Sequence, residues 1–220
     1  AYTGLLVILA IALVFPFIAQ NFGNSWVRIM DFALLYIMLA LGLNVVVGFA
    51  GLLDLGYIAF YAIGAYLTAL LSSPQFAVVL ESFVNQYPAI GTTLMWIFGP
   101  EIAQNGIHLS MWAIVPLAAL VAGFFGALLG APTLKLRGDY LAIVTLGFGE
   151  IIRIFMNNLN GPVNITNGPQ GINLIDPIRI FGVSLNGEEG SASTVMLGNY
   201  AMPSVNAYYF LFLALCIAII

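Results

Sequence analysis

Residues 138–153 read GDYLAIVTLGFGEIIR, an apolar run with a carboxylate and a guanidinium deep inside it. The eleven residues from Asp139 to Glu150 correspond to about 16 Å of helix, roughly half of a hydrocarbon core about 30 Å thick. A charge at that depth costs about 2.5–3.5 kcal/mol and normally faces a protein interior or a water-filled path. Arg153 lies three residues on, on the same helix face. The stretch therefore predicts a membrane-spanning helix with an acid–base pair near the bilayer midplane.

The composition of the whole chain supports this interpretation. Of its 220 residues, 62% are hydrophobic and 6% are charged, whereas soluble domains average about 25% charged residues. We therefore predict an all-α, polytopic helical membrane protein in contact with lipid. With five basic residues, one histidine and one cysteine, the chain offers no nucleic-acid surface, and we expect no metal site, cofactor or disulfide framework. Phosphate-loop, HExxH and serine-elbow patterns do not occur, so we do not expect an enzyme.

The apolar runs predict a single transmembrane domain, residues 1–220, with about six spanning or re-entrant helices. The predicted spans are residues 3–19, 27–48, 52–71, 111–130, 140–159 and 207–220. The first run lacks the basic leader of a signal peptide, so we expect it to be retained. The last run has no polar flank, so we expect the protein to continue beyond residue 220.

Basic residues predict the orientation. Lys135 and Arg137 lie in a short loop between two spans, which places that loop in the cytoplasm. By alternation, the N-terminus is also cytoplasmic, and residues 72–110 and 160–206 are external connections. The first carries short apolar runs suited to the membrane interface. The second begins with NGPVNITNGPQGIN, which is typical of ordered turns and suits the docking of a soluble partner.

Three titratable residues outside residues 138–153 are expected to lie at the membrane interface. We expect Arg28 and Asp31, in the first turn of the second span, to be solvated at the interface by snorkelling. His108 precedes the fourth span and is expected in the headgroup region.

Residues 48–71, GFAGLLDLGYIAFYAIGAYLTALL, are unusually rich in glycine. Glycine permits bends and close backbone approach, and Asp54 is suited to cap a helix N-terminus. Two interpretations remain open: a broken or re-entrant helix whose freed backbone groups line a cavity, or a continuous helix packed closely through small residues. The glycines with a predicted structural or conformational role, including two from the main run, are Gly48, Gly51, Gly56, Gly64, Gly147 and Gly149.

Two motifs at this spacing carry a family resemblance. Residues 48–66, GFAGLLDLGYIAFYAIGAY, and residues 136–153, LRGDYLAIVTLGFGEIIR, are followed by NITNGPQGI at 164–172. Together they resemble the permease subunit of bacterial high-affinity branched-chain amino-acid ATP-binding-cassette importers, over residues 27–220. The resemblance implies a multi-pass inner-membrane protein that works with a second homologous permease, two cytoplasmic ATPase subunits and a periplasmic receptor for leucine, isoleucine or valine. Related permeases carry urea or short amides. The loop that engages the ATPase would follow residues 207–220, so no coupling residue can be named.

The resemblance, together with the intramembrane position of Glu150, makes Glu150, Thr145 and Asn44 candidates for polar groups along a translocation path. For Glu150 the alternatives are a buried structural pair with Arg153 and an uncharged carboxyl group that holds helices together, and for Asn44 the alternative is an amide hydrogen bond between helices. The rival functions are an ion-coupled secondary transporter, in which Glu150 carries the proton, and a membrane scaffold without transport.

Overall fold

The structure is a computed structural model that describes residues 2–52, 54–133, 135–136, 138–180, 183–186, 194–197 and 200–219. Its α-helices are α1 Tyr2–Ala19, α2 Asn24–Asn44, α3 Ile58–Leu71, α4 Gln75–Gln86, α5 Pro88–Asn105, α6 Met111–Thr133, α7 Gly138–Asn158 and α8 Ser204–Ile219. Strand β1 Arg179–Ile180 pairs with β2 Val183–Ser184, and β3 Thr194–Leu197 pairs with β4 Tyr200–Pro203, both antiparallel. The predicted class, a helical membrane protein, is confirmed.

Among the described residues, two helical stretches are long and apolar enough to cross a membrane, namely Asn24–Phe49 with 26 residues and Met111–Thr133 with 23. Helices α3 and α4 together would form a third span, but they are bent by 84° at their junction, as in a broken span or a re-entrant loop. Leu9–Phe22 and Ser204–Ile219 are shorter apolar helices. The predicted span 140–159 folds as one helix, α7, and its passage through the bilayer stays a prediction.

The glycine-rich stretch is broken and not continuous. After α2 the chain makes a π-helical turn, Val45–Phe49, and regains helical structure only at Ile58, so the predicted span 52–71 begins six residues later than expected. Gly51 has φ +65°, a conformation that favours glycine. Asp54 does not cap α3, because its Oδ1 accepts from the backbone N–H of Gly56, 2.8 Å away, and Tyr57 is the N-cap.

We predicted residues 72–110 to be an external connection carrying short apolar runs, and their position outside the membrane stays a prediction. They form α4 and α5, which pack against each other as a helical hairpin. A methyl group on Gly91 would lie 2.7 Å from Cγ2 of Val84 and would overlap the Val84 backbone, so the hairpin depends on this glycine contact. The rings of Phe76 and Phe98 meet edge to face at 5.1 Å. The hairpin leaves most of the second apolar run uncovered, since Trp96 and Ile97 are 85% and 61% exposed, so its interfacial position stays a prediction.

The described chain divides by its internal contacts into two compact units. Unit 1 comprises Ala1–Val45 and Pro177–Ile220, and unit 2 comprises Val46–Asp176. In unit 1, α2 and α8 share a core that contains Val27, Leu34, Tyr209, Leu213 and Cys216. The Tyr209 hydroxyl donates to the carbonyl of Ala12 at 2.8 Å, which joins α1 to this core. The single-domain interpretation stays a prediction.

In unit 2, the predicted turn chemistry after α7 is confirmed. The buried Thr166 hydroxyl donates to the carbonyl of Met156 at 2.7 Å, and Asn167, at φ +60°, donates through Nδ2 to Gly171 at 2.9 Å. Gln75 Nε2 donates to the carbonyl of Asn164 at 3.3 Å and so connects these turns to α4. The membrane side of these turns stays a prediction. Arg137, half of the basic pair used for orientation, lies outside the described residues.

Candidate functional site

One face of α7 holds the non-helical segment that precedes α3. The side chain of Thr145 is buried there, and its hydroxyl donates to the carbonyl of Leu141 at 2.9 Å. The same hydroxyl oxygen accepts from the backbone N–H of Leu55 at 3.1 Å. Residues 50–52 and 54–57, here called the broken segment, lie outside any helix, so the N–H of Leu55 needs such a partner. Thr145 therefore tethers the broken segment to α7.

Two glycines bring the same segment and α7 into backbone contact. A Cβ atom on Gly56 would lie 2.9 Å from the carbonyl carbon of Thr145 and would overlap the carbonyl oxygen, which no real side chain tolerates. A Cβ on Gly149, one turn further along α7, would lie 3.5 Å from the Cα of Gly56. Gly56 is thus required for the close approach, whereas Gly149 contributes an ordinary van der Waals contact.

A small cavity of about 80 Å³ lies beside this contact. Ligand pockets for small molecules usually measure about 300–1,000 Å³, so this one is too small for an amino acid in the observed conformation. Gly126 of α6 borders the cavity, and a Cβ atom placed on it would lie 3.8 Å from the ring of Phe60, an ordinary van der Waals contact. Thr145 also borders the cavity, but its role along a translocation path stays a prediction.

The opposite face of α7 is exposed in this chain and carries Gly147, Glu150 and Arg153. Arg153 forms a bidentate ion pair with Glu150, through Nε to Oε2 at 2.9 Å and through a terminal nitrogen to Oε1 at 2.5 Å. The predicted pair is confirmed. Its predicted shelter is not found within the described residues, because the side chains are 53% and 64% exposed for Glu150 and Arg153. A charge pair on an uncovered face of an apolar helix needs another protein surface or water to cover it.

The remaining predicted residues belong to other parts of the chain. Asn44 ends α2, is exposed, and belongs to unit 1, while Thr145 and Glu150 belong to unit 2. Gly48 lies in the π-helical turn. Gly64, inside α3, has open space around it, and its carbonyl accepts from the Thr68 hydroxyl at 2.8 Å.

Charged residues to which we assigned little importance have specific environments in the structure. Asp31 is half-buried and not solvated as we expected, because its Oδ1 is buried without a hydrogen-bond partner among the described residues. His108 is not a simple headgroup residue, since its Nδ1 lies 2.7 Å from Asp176 and its Nε2 lies 2.6 Å from the carbonyl of Asn105. Asp176 accepts a hydrogen bond from His108, and this interaction raises the pKa of His108. The three-residue spacing of Arg28 and Asp31 indicated a shared helix face but not the burial of Asp31.

Comparison with known proteins identifies the family. Residues 25–220 match the family described as branched-chain amino acid transport system, permease component. The high-affinity branched-chain amino acid transport system permease protein LivM of Salmonella typhimurium is 43% identical over 182 residues, and that of Escherichia coli is 42% identical over 182 residues. These alignments cover 83% of this chain and 34% of each relative, so the chain spans about a third of their length. No solved structure matches it. The chain belongs to the family of permease components of branched-chain amino acid transport systems.

Proposed function

We propose that the protein is the transmembrane permease subunit of an ATP-binding-cassette importer in a bacterial inner membrane. It moves leucine, isoleucine and valine from a periplasmic binding protein into the cytoplasm. It works beside a second homologous permease, and ATP is hydrolysed on two separate cytoplasmic ATPase subunits. The family match over residues 25–220 carries this proposal.

The exposed ion pair on α7 supports a partner subunit. Glu150 and Arg153 lie within a helix of 21 residues, yet neither is covered by the described part of this chain. An uncovered charge pair is costly against lipid but acceptable against a second permease or a hydrated path. In this proposal Glu150, on the exposed face of α7, and Asn44, at the end of α2, contribute polar groups to that path, whereas the buried Thr145 holds the broken segment against α7. The glycines of residues 48–64 and 147–149 allow packing to shift between inward-facing and outward-facing states.

The pair also bears on the ion-coupled alternative. A carboxylate held by a bidentate guanidinium is stabilised in its charged form, which is a poor arrangement for a carrier that must take up and release a proton. An importer driven by ATP does not need such titration. The ion pair therefore favours the ATP-driven mechanism.

The test is uptake of radiolabelled leucine by the complete complex, purified from full-length subunits and reconstituted in proteoliposomes. Uptake should require ATP and the leucine-loaded receptor, and urea and acetamide should compete poorly. Uptake that follows a pH gradient without ATP would instead establish the secondary transporter. Strong competition by urea or acetamide would indicate that the transported substrate is a short amide.

A further inference from the structure

A separate cavity, of about 190 Å³, lies within unit 2 between α3, α6, α7 and the turns that follow α7. It is at the other end of these helices from the small cavity beside Gly56. Three helices contribute side chains without charge, and the apolar walls include Ile63, Leu70, Val121, Phe125, Met156 and Leu159. The cavity is therefore lined almost wholly by hydrocarbon groups.

The wall offers little to water or to a polar ligand. Thr166 borders the cavity, but its hydroxyl donates to the carbonyl of Met156 at 2.7 Å and accepts from the N–H of Gly168 at 3.3 Å. Among the residues that border the cavity, the other polar side-chain group is the phenol of Tyr66. Apolar cavities of about 150 Å³ stay dry and take up apolar molecules, since a bound water needs about two to four polar partners. The wall therefore suits an apolar occupant.

The position of the cavity along α6 corresponds to the depth of lipid chains. Val121 and Phe125 lie ten and fourteen residues after Met111, the first residue of α6, or about 15 and 21 Å along the helix. In a helix long enough to cross a hydrocarbon core about 30 Å thick, these residues lie in its interior. Phe125 is 37% exposed, so this wall reaches the surface of the chain. Surrounding lipid chains can therefore reach the cavity.

The cavity and the exposed carboxylate of α7 lie on opposite faces of that helix. Met156 and Leu159 follow Thr145 by eleven and fourteen residues, which is about three and four helical turns, so all three share one side of α7. Glu150 lies on the other side, where its charge needs a protein surface or water. A partner subunit that covers Glu150 therefore leaves this cavity to lipid.

We propose that this cavity binds one acyl chain of a phospholipid from the surrounding bilayer. The chain fills the space between α6 and α7, and it supplies Ile63, Val121 and Met156 with the dispersion contacts that an empty cavity would forfeit. A phospholipid held in this way stays with the protein while the lipid beside exposed residues exchanges freely.

The experiment uses the full-length complex in nanodiscs of phosphatidylethanolamine and phosphatidylglycerol, with a phosphatidylethanolamine that carries a diazirine on one acyl chain. After irradiation, mass spectrometry of the peptides locates the cross-links. We expect cross-links at Met156 and Leu159, on the wall, and at Leu120, which is 73% exposed on α6. Excess dodecyl maltoside added before irradiation should abolish the cross-links at Leu120 and leave most of those at Met156 and Leu159.

A variant that fills the cavity tests the location of the chain. Val121→Phe adds a ring where the chain would lie and should lower the cross-links at Met156 and Leu159 by about fivefold or more. Val115→Phe is the matched control, because Val115 belongs to the same helix but is 54% exposed, and it should cross-link like the wild type. The detergent measurement on the wild type keeps the proposal testable even if Val121→Phe fails to fold.

Three outcomes would overturn the proposal. Detergent could remove the cross-links at Met156 and Leu159 as readily as those at Leu120, which would make the cavity an ordinary lipid-facing surface. Val121→Phe could leave the cross-links at the wall unchanged, which would place the chain elsewhere. The cross-links at the wall could be absent from the complex, and their presence in the isolated permease would then show that a partner subunit fills the cavity.

Discussion

The two faces of α7 differ, because one packs tightly against the broken segment and the other is exposed. On one face, Thr145 and Gly149 press against the broken segment at Gly56 with backbone atoms in contact. On the other face, Gly147 has open space around it, and the Glu150–Arg153 pair is exposed. Residues of the same kind thus have opposite consequences: a glycine is indispensable where backbones touch and replaceable where nothing approaches. We infer that the first face stabilises this chain and that the second serves partners or substrate.

The largest expected effect comes from Gly56→Ala. Its added Cβ would overlap the carbonyl group of Thr145, which is backbone and cannot rotate away. We expect a loss of about 1–3 kcal/mol in the free energy of unfolding, the usual cost of overpacking. Titration of the full-length permease with sodium dodecyl sulfate in mixed micelles measures it.

Gly147→Ala is the matched control for this glycine, because the added Cβ would meet nothing within 4 Å. We expect unchanged stability or a gain of up to about 1 kcal/mol from helix propensity. Equal losses for both variants would contradict the distinction between the two faces. A Gly147→Ala protein that is stable alone but assembles poorly would place a partner backbone against this face.

Thr145→Val tests the tether itself. Valine keeps the shape of threonine but leaves the N–H of Leu55 without its 3.1 Å acceptor, so we expect a loss of about 1–2 kcal/mol. Thr145→Ser retains the hydroxyl and should recover most of that stability in the same titration. If serine is as damaging as valine, packing of the methyl group matters and the hydrogen bond does not.

Secondary-structure elements were predicted from the sequence more accurately than tertiary contacts were. The apolar runs that became α6 and α7 were visible because length and hydropathy are local properties. The helices α4 and α5 were missed because each apolar run is short, and their pairing depends on Gly91 meeting Val84, a contact between two separate segments. The Glu150–Arg153 pair followed from helical spacing, whereas the lone Asp31 did not, since only the packing of α8 against α2 shields its oxygen. Exposure and burial of a charge are decided by tertiary neighbours, which no single segment specifies.

His108 and Asp176 form a second exposed ion pair in unit 2, and the stability that this pair provides depends on pH. Both ring nitrogens of His108 face oxygen acceptors, so the imidazolium form satisfies both contacts. The hydrogen bond with Asp176 raises the folded-state pKa of His108 above 6.5. The resulting stability is fully present below about pH 6.5 and is lost as the pH rises through the folded-state pKa.

We therefore expect His108→Gln to be less stable than the wild type at pH 5.5, by less than about 1 kcal/mol because the pair is partly exposed. The difference should become smaller as the pH is raised from 5.5 to about 8.5, as followed by thermal unfolding at both values. Asp176→Asn should remove the same pH dependence. A difference between wild type and His108→Gln that is constant with pH would mean that the ring acts by packing alone.

The smallest effect on stability is expected for Glu150→Gln, although its effect on transport should be clear. An exposed pair contributes about 0–1 kcal/mol, so unfolding and assembly of the complex should change little. If the exposed face of α7 borders the translocation path, loss of this charge should lower ATP-dependent leucine uptake severalfold, while Glu101→Gln, another exposed carboxylate, should leave uptake unchanged. Loss of uptake together with loss of assembly would make the pair a subunit contact. If Glu150→Gln takes up leucine at the wild-type rate, Glu150 does not border the path. The tethered face, which carries Thr145 and Gly149, would then be the part of α7 on which function depends.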